Sequence, residues 1–291
     1  MKYKYSLIIL NWKRPHNVIE IIHKLYDISF IDEIIISNGH PTSILTFTEF
    51  NKIMSLDDTR NNEYYGLDLR FITACRARNS KIIFMDDDIL IDYANLIKLI
   101  IQYEKNPNRI VGIEGRNMEG ENHYGKIPYK SQECDIVLTR LLVCDKMLCN
   151  LFFKCKPLLE TIYRQGKPYG NGEDIVLSFV AKLYYNIHKH LVVNDVSIRN
   201  LPANNSINAN GSHIPYRVEL CRYLKQNREL FNNVIHFNSN GIPNNKMYLN
   251  ITPSNINELY QKKHISLGYR VRDRDSLRKR VQLERDKYKS N

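Results

Sequence analysis

Apolar positions in this chain follow two rhythms, short unbroken runs and helical repeats, and the two alternate through the first half. Tyr5-Ser-Leu-Ile-Ile-Leu10 is an aliphatic, β-branched run, the pattern of a strand covered on both faces. Asn11-Trp-Lys-Arg-Pro15 ends it, and Pro15 suits the first turn of a helix, where its missing N–H has no partner to lose. Val18, Ile21, Ile22 and Leu25 then recur at helical spacing. Glu33-Ile-Ile-Ile-Ser37 predicts a second strand, stopped by the turn-forming Asn38-Gly39-His40-Pro41. Strand, helix and strand in this order predict a parallel pair with a right-handed crossover.

Between Thr42 and Tyr65 the pattern predicts a short helix, a strand near Ile53 and a polar loop over Asp57–Glu63. Leu67–Arg78 reads as a helix and Lys81-Ile-Ile-Phe-Met85 as a third buried strand, followed at once by Asp86-Asp87-Asp88. Asp92 is placed to cap a helix reaching Lys105, with Leu96, Leu99 and Ile100 inward. Asn106-Pro107 stops that helix, and Arg109–Gly115 reads as a strand. Further on, the sequence predicts a strand over Asp135–Val143, short helices over Lys146–Phe153 and Pro157–Arg164, and a Gly-rich loop over Gly166–Gly172. Helices follow from Glu173 to Tyr185 and from Pro215 to Phe231, separated by a mobile Asn- and Ser-rich loop over Asn200–His213. The expected fold is α/β: a Rossmann-like, mostly parallel central sheet flanked by helices, with a smaller mixed sheet in the C-terminal half. No repeat or linker divides it, so residues 1–265 read as one domain. Within it, 1–118 form a nucleotide-binding half and 119–265 an acceptor-binding half, with a basic tail over 266–291.

A net charge of +11 calls for an explanation: nucleic acid, an anionic membrane or a small polyanion. Much of the excess lies in the tail, from Arg270 to Lys289, which reads as a solvated helical end and leaves room for peripheral membrane contact. No nucleic-acid-binding motif accompanies the charge, so no nucleic-acid partner is expected. The six cysteines form no CxxC pair, which argues against a zinc site and a disulfide framework. The first strand begins almost at once and no apolar run is long enough to span a bilayer, so a soluble, cytoplasmic protein is expected.

The three consecutive aspartates are the most informative feature. Ligands of open parallel sheets bind outside the carboxyl ends of the strands, where this cluster falls. Adjacent carboxylates repel one another, and hard oxygen ligands select Mn²⁺ or Mg²⁺, which share their shell with substrate phosphates. Asp88 is the first choice as metal ligand, with Asp86 also a ligand and nearer the sugar or ribose, and Asp87 beside the donor. The bland alternative is an acidic loop ahead of the Asp92 cap. No GxGxxG follows the first strand and no GxxxxGK[ST] occurs, which argues against dinucleotide and P-loop sites. The first loop instead offers Asn11, Trp12, Lys13 and Arg14; Trp12 suits a nucleobase, or plain packing. Arg76 and Arg78 precede the aspartate strand, and at most one of an alternating pair in a helix can reach a phosphate. Glu173 and Asp174 open a helix behind glycines. They read either as dipole-compensating caps or as carboxylates aimed at a sugar.

These segments together resemble the exostosin-like, family 64 glycosyltransferases of GT-A fold. The resemblance is carried by Tyr5–Pro15, Ala74–Asn79, Ile83–Leu90, Asn106–Gly112 and Glu173–Ala181. It implies transfer of an N-acetylhexosamine or hexose from a UDP-sugar to a hydroxyl of a glycan or glycoconjugate, with Mn²⁺ at the aspartates and retained configuration. By position it implies that Arg14 and Asn38 contact the nucleotide, Asp86 and Asp88 the donor and metal, and Asp174 the reacting centre. Arg217 is implied to reach the diphosphate. A sugar-phosphate nucleotidyltransferase, which would release pyrophosphate, and an inactive nucleotide-sugar-binding relative are the rival readings.

Overall fold

The computed structural model describes residues 3–48, 50–118, 125, 132–163, 171–203, 214–236 and 269–271. Eight strands form the central sheet: β1 (Tyr5–Asn11), β2 (Ile31–Asn38), β3 (Ile53–Asp57), β4 (Lys81–Asp86), β5 (Val111–Gly112), β6 (Gln132–Cys134), β7 (Leu141–Asp145) and β8 (His190–Val192). Their order is β3-β2-β1-β4-β7-β5-β8-β6. The pairs β1–β2, β1–β4, β2–β3 and β5–β8 are parallel; β7 runs antiparallel to both β4 and β5, and β6 antiparallel to β8. This is the mostly parallel α/β sheet that the sequence predicts.

Alternation along the strands explains why the runs are apolar throughout. Leu7, Ile9, Ile34, Ile36, Ile83 and Met85 enter the apolar cluster on one face, and Ile8, Ile35, Ile82 and Phe84 the cluster on the other. The first face is covered by α1 (Pro15–Leu25), with Pro15 at its start as predicted, and by α3 (Tyr93–Lys105), capped by Asp92 accepting from Asn95 N–H at 2.8 Å. Leu96, Leu99 and Ile100 are buried on α3 as expected. The other face carries α2 (Leu69–Cys75), α4 (Met147–Cys155), α5 (Glu173–Tyr184), α6 (Ile214–Gln226) and α7 (Arg228–His236).

Several elements differ from their sequence reading. The Asp57–Glu63 segment is not a loop: Thr59–Tyr65 is helical, yet buries none of its residues, so it has no apolar stripe to betray it. The buried Asp58 carboxylate anchors it, accepting from Ser37 Oγ and from Asn61 Nδ2 at 3.0 Å. The expected Pro215–Phe231 helix is two helices, α6 and α7. Strands of the C-terminal half extend the central sheet. Outside it are antiparallel pairs of Gly115–Arg116 with Ile136–Val137 and of Ile89–Ile91 with Ile198–Asn200. Of the tail, Tyr269–Val271 pairs in parallel with Leu45–Phe47, and its other residues lie outside the described ones. The Gly-rich loop up to residue 170 and residues 204–213 also lie outside them.

His190, fully buried in β8, shows how the sheet constrains protonation. Ile110 N–H donates to its Nδ1 at 3.3 Å, while Nε2 is 2.8 Å from the Ser178 carbonyl. The ring is therefore neutral with its proton on Nε2, and burial lowers its pKa from 6.5 to about 4. A neutral form favoured by folding contributes stability that is complete above pH ~6.5 and is lost as pH falls through 4, ~3 kcal/mol in all. Urea denaturation at pH 7 and pH 4.5 should show the wild type losing more stability than His190→Gln, whose amide can keep both hydrogen bonds without titrating.

Candidate active site

The parallel strands end in register. Asn11 faces Asn38, Asn38 faces Asp57, and Leu10 faces Asp86, so the carboxyl ends of β1 to β4 form one rim. The three aspartates at the end of β4 take three different parts. Asp87 is buried and points into the first loop, accepting from Trp12 N–H at 2.9 Å and from the Arg14 guanidinium. Asp86 keeps 32% of its side chain exposed and is bonded by Arg70 Nη1 at 3.0 Å. Asp88 keeps 24% exposed, with Arg14 Nη1 at 3.4 Å. The two outer aspartates are thus the open ones, and the middle one is structural.

Asp87 has a reason to be structural. Lys13 adopts a left-handed backbone, φ 61°, without being glycine, a conformation that costs about 1–2 kcal/mol. Asp87 bonds the residues on either side of it and so holds the turn. Trp12, 41% exposed, meets His40 edge-to-face at 5.0 Å on the outside of this turn.

The rim asparagines carry the loop that follows β2. Asn38 is fully buried; its amide donates to Ser55 Oγ and the Leu56 carbonyl, both at 2.9 Å, and its oxygen accepts from Asn11 Nδ2 at 2.7 Å and Leu45 N–H at 3.1 Å. Asn11, 1% exposed, also donates to the Ser43 carbonyl. Both are expected as nucleotide contacts; Asn38 is fully engaged within the rim, whereas Asn11 uses only its NH₂ group and its Oδ1 is buried with no hydrogen bond among the described residues.

Arg70 was not singled out by the sequence, and it joins the two halves of the molecule. From α2 it reaches Asp86, the Thr139 carbonyl at 3.1 Å and, through Nε at 3.7 Å, Glu173 Oε1. Thr139 Oγ1 donates to the same Glu173 oxygen at 2.8 Å. The one available signal was a cation inside an apolar helical stretch, Leu69-Arg-Phe-Ile-Thr-Ala74. Glu173, 2% exposed, and Asp174, 3% exposed, open α5 after Gly172. Gly172 has φ +99°, and a Cβ there would meet Leu220 Cδ2 at 2.5 Å, so any other residue would be strained and would displace Leu220. Asp174 is held by Arg217 Nη1 at 2.9 Å, and Arg217 Nε donates to Asn171 at 3.0 Å.

Three expectations need correction. Arg217 is spent on Asp174 and Asn171 and is nearly buried, so it supports a carboxylate where a diphosphate contact was expected. Arg78 lies at the opposite, amino end of the strands, with its guanidinium on the Asp32 carbonyl and Glu33. Glu33 is level with Ser6, and Asp86 with Leu10, which separates Arg78 from the aspartates by roughly 13 Å of strand. Arg76 ends α2 on that same side, next to Ala77, whose carbonyl accepts from Lys146 beyond the amino end of β4. Neither arginine is brought to the aspartates.

Among the described residues no group of three or more His, Cys, Asp or Glu is arranged as a complete metal cage. The open pair Asp86 and Asp88 nevertheless fits an ion that takes the rest of its shell from phosphates and water. Among the described residues, the linked carboxylates Asp68, Asp86, Asp87, Asp88, Glu173 and Asp174 outnumber the linked cations Arg14, Arg70, Lys156 and Arg217 by two. Burial first, and neighbouring carboxylates second, raise proton affinity here. Although part of the Asp86 carboxylate reaches solvent, the protein packed around its remainder desolvates it and lifts it to about 6 against the pull of Arg70, with Asp88 and Asp87 adding to the rise. Burial likewise lifts Asp87 to about 6 against Arg14, and raises Glu173 together with the Asp174 charge.

The family model of the glycosyl transferase family 64 domain matches residues 5–240, and so spans β1, the aspartates, Arg70 and the α5 carboxylates. The chain belongs to glycosyl transferase family 64. No curated protein matches it. Among solved structures this family 64 domain is similar to a crystal structure of GalNAc-T7 with UDP, GalNAc and Mn²⁺. The identity is 12% and the TM-score 0.42, over 80% of this chain and 50% of that one, so the chain spans half the length of that structure. No helix among the described residues is long and apolar enough to cross a membrane.

Because Trp12 is the sole tryptophan, its emission reports on the first loop alone. Asp87→Ala should free the Lys13 turn and shift Trp12 emission to longer wavelength. It should also cost ~2 kcal/mol in denaturant unfolding, as expected for a buried charged hydrogen-bond acceptor. Unchanged emission would show that the turn holds itself.

Proposed function

We propose that this domain moves an N-acetylhexosamine or hexose from a UDP-sugar to a hydroxyl of a glycan or glycoconjugate, with retention. Family membership supports glycosyl transfer, and the arrangement of Asp86, Arg70 and Glu173 across the rim carries the finer reading. It places an open carboxylate suited to a metal and a buried carboxylate on one guanidinium, one from each half of the domain. A donor lying between the halves would have its diphosphate near Asp86 and Asp88 and its sugar near α5.

Asp86 and Asp88 would hold Mn²⁺ or Mg²⁺, which supplies Lewis-acid stabilisation to a departing diphosphate. The protein's own groups act around it. Arg14, already at Asp88, adds fixed positive charge where negative charge grows as the glycosyl–phosphate bond breaks. The sugar carbon becomes cationic, and the adjacent Asp174 and Glu173 stabilise that charge. Arg217 holds the first of these carboxylates in place and Arg70 the second. In a retaining path the departing phosphate oxygen takes the acceptor hydroxyl proton, so neither carboxylate has to leave its guanidinium partner to act as a base.

Incubation with UDP-, GDP- and CMP-sugars plus Mn²⁺, followed by nucleotide release, should show turnover of a UDP-sugar. Asp88→Asn should abolish it without changing the circular dichroism spectrum. Full activity in that variant or in excess EDTA would remove the metal from the reading, and pyrophosphate in place of UDP would reassign the enzyme as a nucleotidyltransferase.

Asp174→Asn separates chemistry from binding. UDP affinity, followed by Trp12 fluorescence, should hold, while turnover falls by about a hundredfold or more. Equal loss of both would make Asp174 a support for the α5 loop and leave the reacting centre to Glu173.

A further inference from the structure

Three polar side chains beside the aspartates have no part in the proposed transfer. Asp86 N–H donates to the Arg140 carbonyl at 2.9 Å, and Ile113 N–H to the Leu141 carbonyl at 3.2 Å. Met85 is level with Leu141, and Leu142 with Gly112. Continued past the strand ends, these registers set Asp86, Arg140 and Glu114 in one row across β4, β7 and β5, neighbours roughly 5 Å apart. Asn200 reaches the row from another direction. Its strand pairs with Ile89, directly after the aspartates, and Leu201 N–H donates to the Asp88 carbonyl at 2.7 Å.

The Arg140 guanidinium donates to both Glu114 and Asn200 and so draws the three side chains together. Arg140 and Glu114 keep 29% and 28% of their side chains exposed, and Asn200 is exposed. An ion pair this open adds little to stability, so stability does not account for a cluster drawn from three segments. Each member also keeps a polar group in reserve: Arg140 Nε, Glu114 Oε2 and Asn200 Nδ2 make no hydrogen bond among the described residues. Two donors and an acceptor thus face water side by side, the complement of adjacent sugar hydroxyls, each of which both donates and accepts. Glu114 offsets the charge of Arg140, and the adjoining acids exceed their cations, so an anionic ring would be repelled. The proposed donor occupies the nucleotide side of the rim and α5, which leaves the ends of β7 and β5 for the second substrate. We infer that Glu114, Arg140 and Asn200 form the acceptor subsite, holding a neutral sugar by two neighbouring hydroxyls so that a further hydroxyl faces the donor at Asp86 and Asp88.

This inference deepens the proposed transfer and rests on it, so its test includes a readout that needs no turnover. Saturation-transfer NMR of the protein with UDP and Mg²⁺ should show methyl galactoside or methyl N-acetylglucosaminide binding more strongly than methyl glucuronide. Asn200→Ala and Glu114→Gln should weaken that signal without lowering the melting temperature. With a UDP-sugar that is turned over, both variants should raise the KM for the neutral glycoside about tenfold, while donor KM and kcat move less than about twofold. Unchanged glycoside binding and KM in both variants, a preference for the glucuronide, or no binding of any of the three glycosides by the wild type would overturn the inference. Equal rises in donor and acceptor KM would move the cluster into the donor site and overturn it as well. Neutral-glycoside binding that is lost in the variants of a protein that turns over no UDP-sugar would support the subsite and remove the transfer reading.

Discussion

Arg70 is the interaction on which this site depends. The first half of the chain builds a rim from the carboxyl ends of parallel strands, and the second half brings a helix opening with two carboxylates. Left alone, these would place Asp86, Glu173 and Asp174 together with nothing to offset their repulsion. A guanidinium from α2 lies between Asp86 and Glu173 and makes the approach tolerable. Its charge is spread over the guanidinium, so Nη1 bonds Asp86 and the Thr139 carbonyl while Nε stands 3.7 Å from Glu173, a reach that the compact charge of a lysine would not have. The two halves meet through chemistry at this point, in addition to the apolar packing of α4, α5 and α7 behind it.

The compensation is incomplete, and the proposed reaction gives the incompleteness a use. Asp86 and Asp87 have proton affinities lifted by burial, and Glu173 and Asp174 add charge that Arg70 and Arg217 only partly balance. A site selected for stability alone would neutralise these acids or replace them with amides. One that must receive a cation and stabilise a cationic transition state needs negative charge in place beforehand. The three aspartates share out the roles. Asp87 is committed to the strained Lys13 turn, which leaves Asp86 and Asp88 open.

The periodic parts of the fold were legible because period and burial coincide in them. Leu7–Leu10, Ile34–Ile36 and Ile82–Met85 are unbroken apolar runs because each strand has a core on both faces. The capped α3 was readable down to its inward residues. Legibility fails where an element is held by one polar anchor, as in the Thr59–Tyr65 helix pinned by Asp58. At the site, the residues with sequence neighbours of like kind, Asp86–Asp88 and Glu173–Asp174, could be picked out. Arg70, Thr139 and Asp68 could not, since each is single and gains meaning only from partners far along the chain.

The misplaced arginines show the same limit from the other direction. Arg76 and Arg78 precede the aspartate strand in sequence, and proximity in sequence suggested proximity in space. A crossover helix enters a parallel strand at its amino end, however, so residues just before the strand lie a full strand length from residues just after it. Arg70, eight residues before Arg78, is at the start of that helix and hence at the carboxyl rim. In a parallel sheet the cation that serves the end of a strand is therefore found near the beginning of the helix that leads into it. This geometric rule makes Arg70, once its helix is recognised, the arginine to expect beside Asp86.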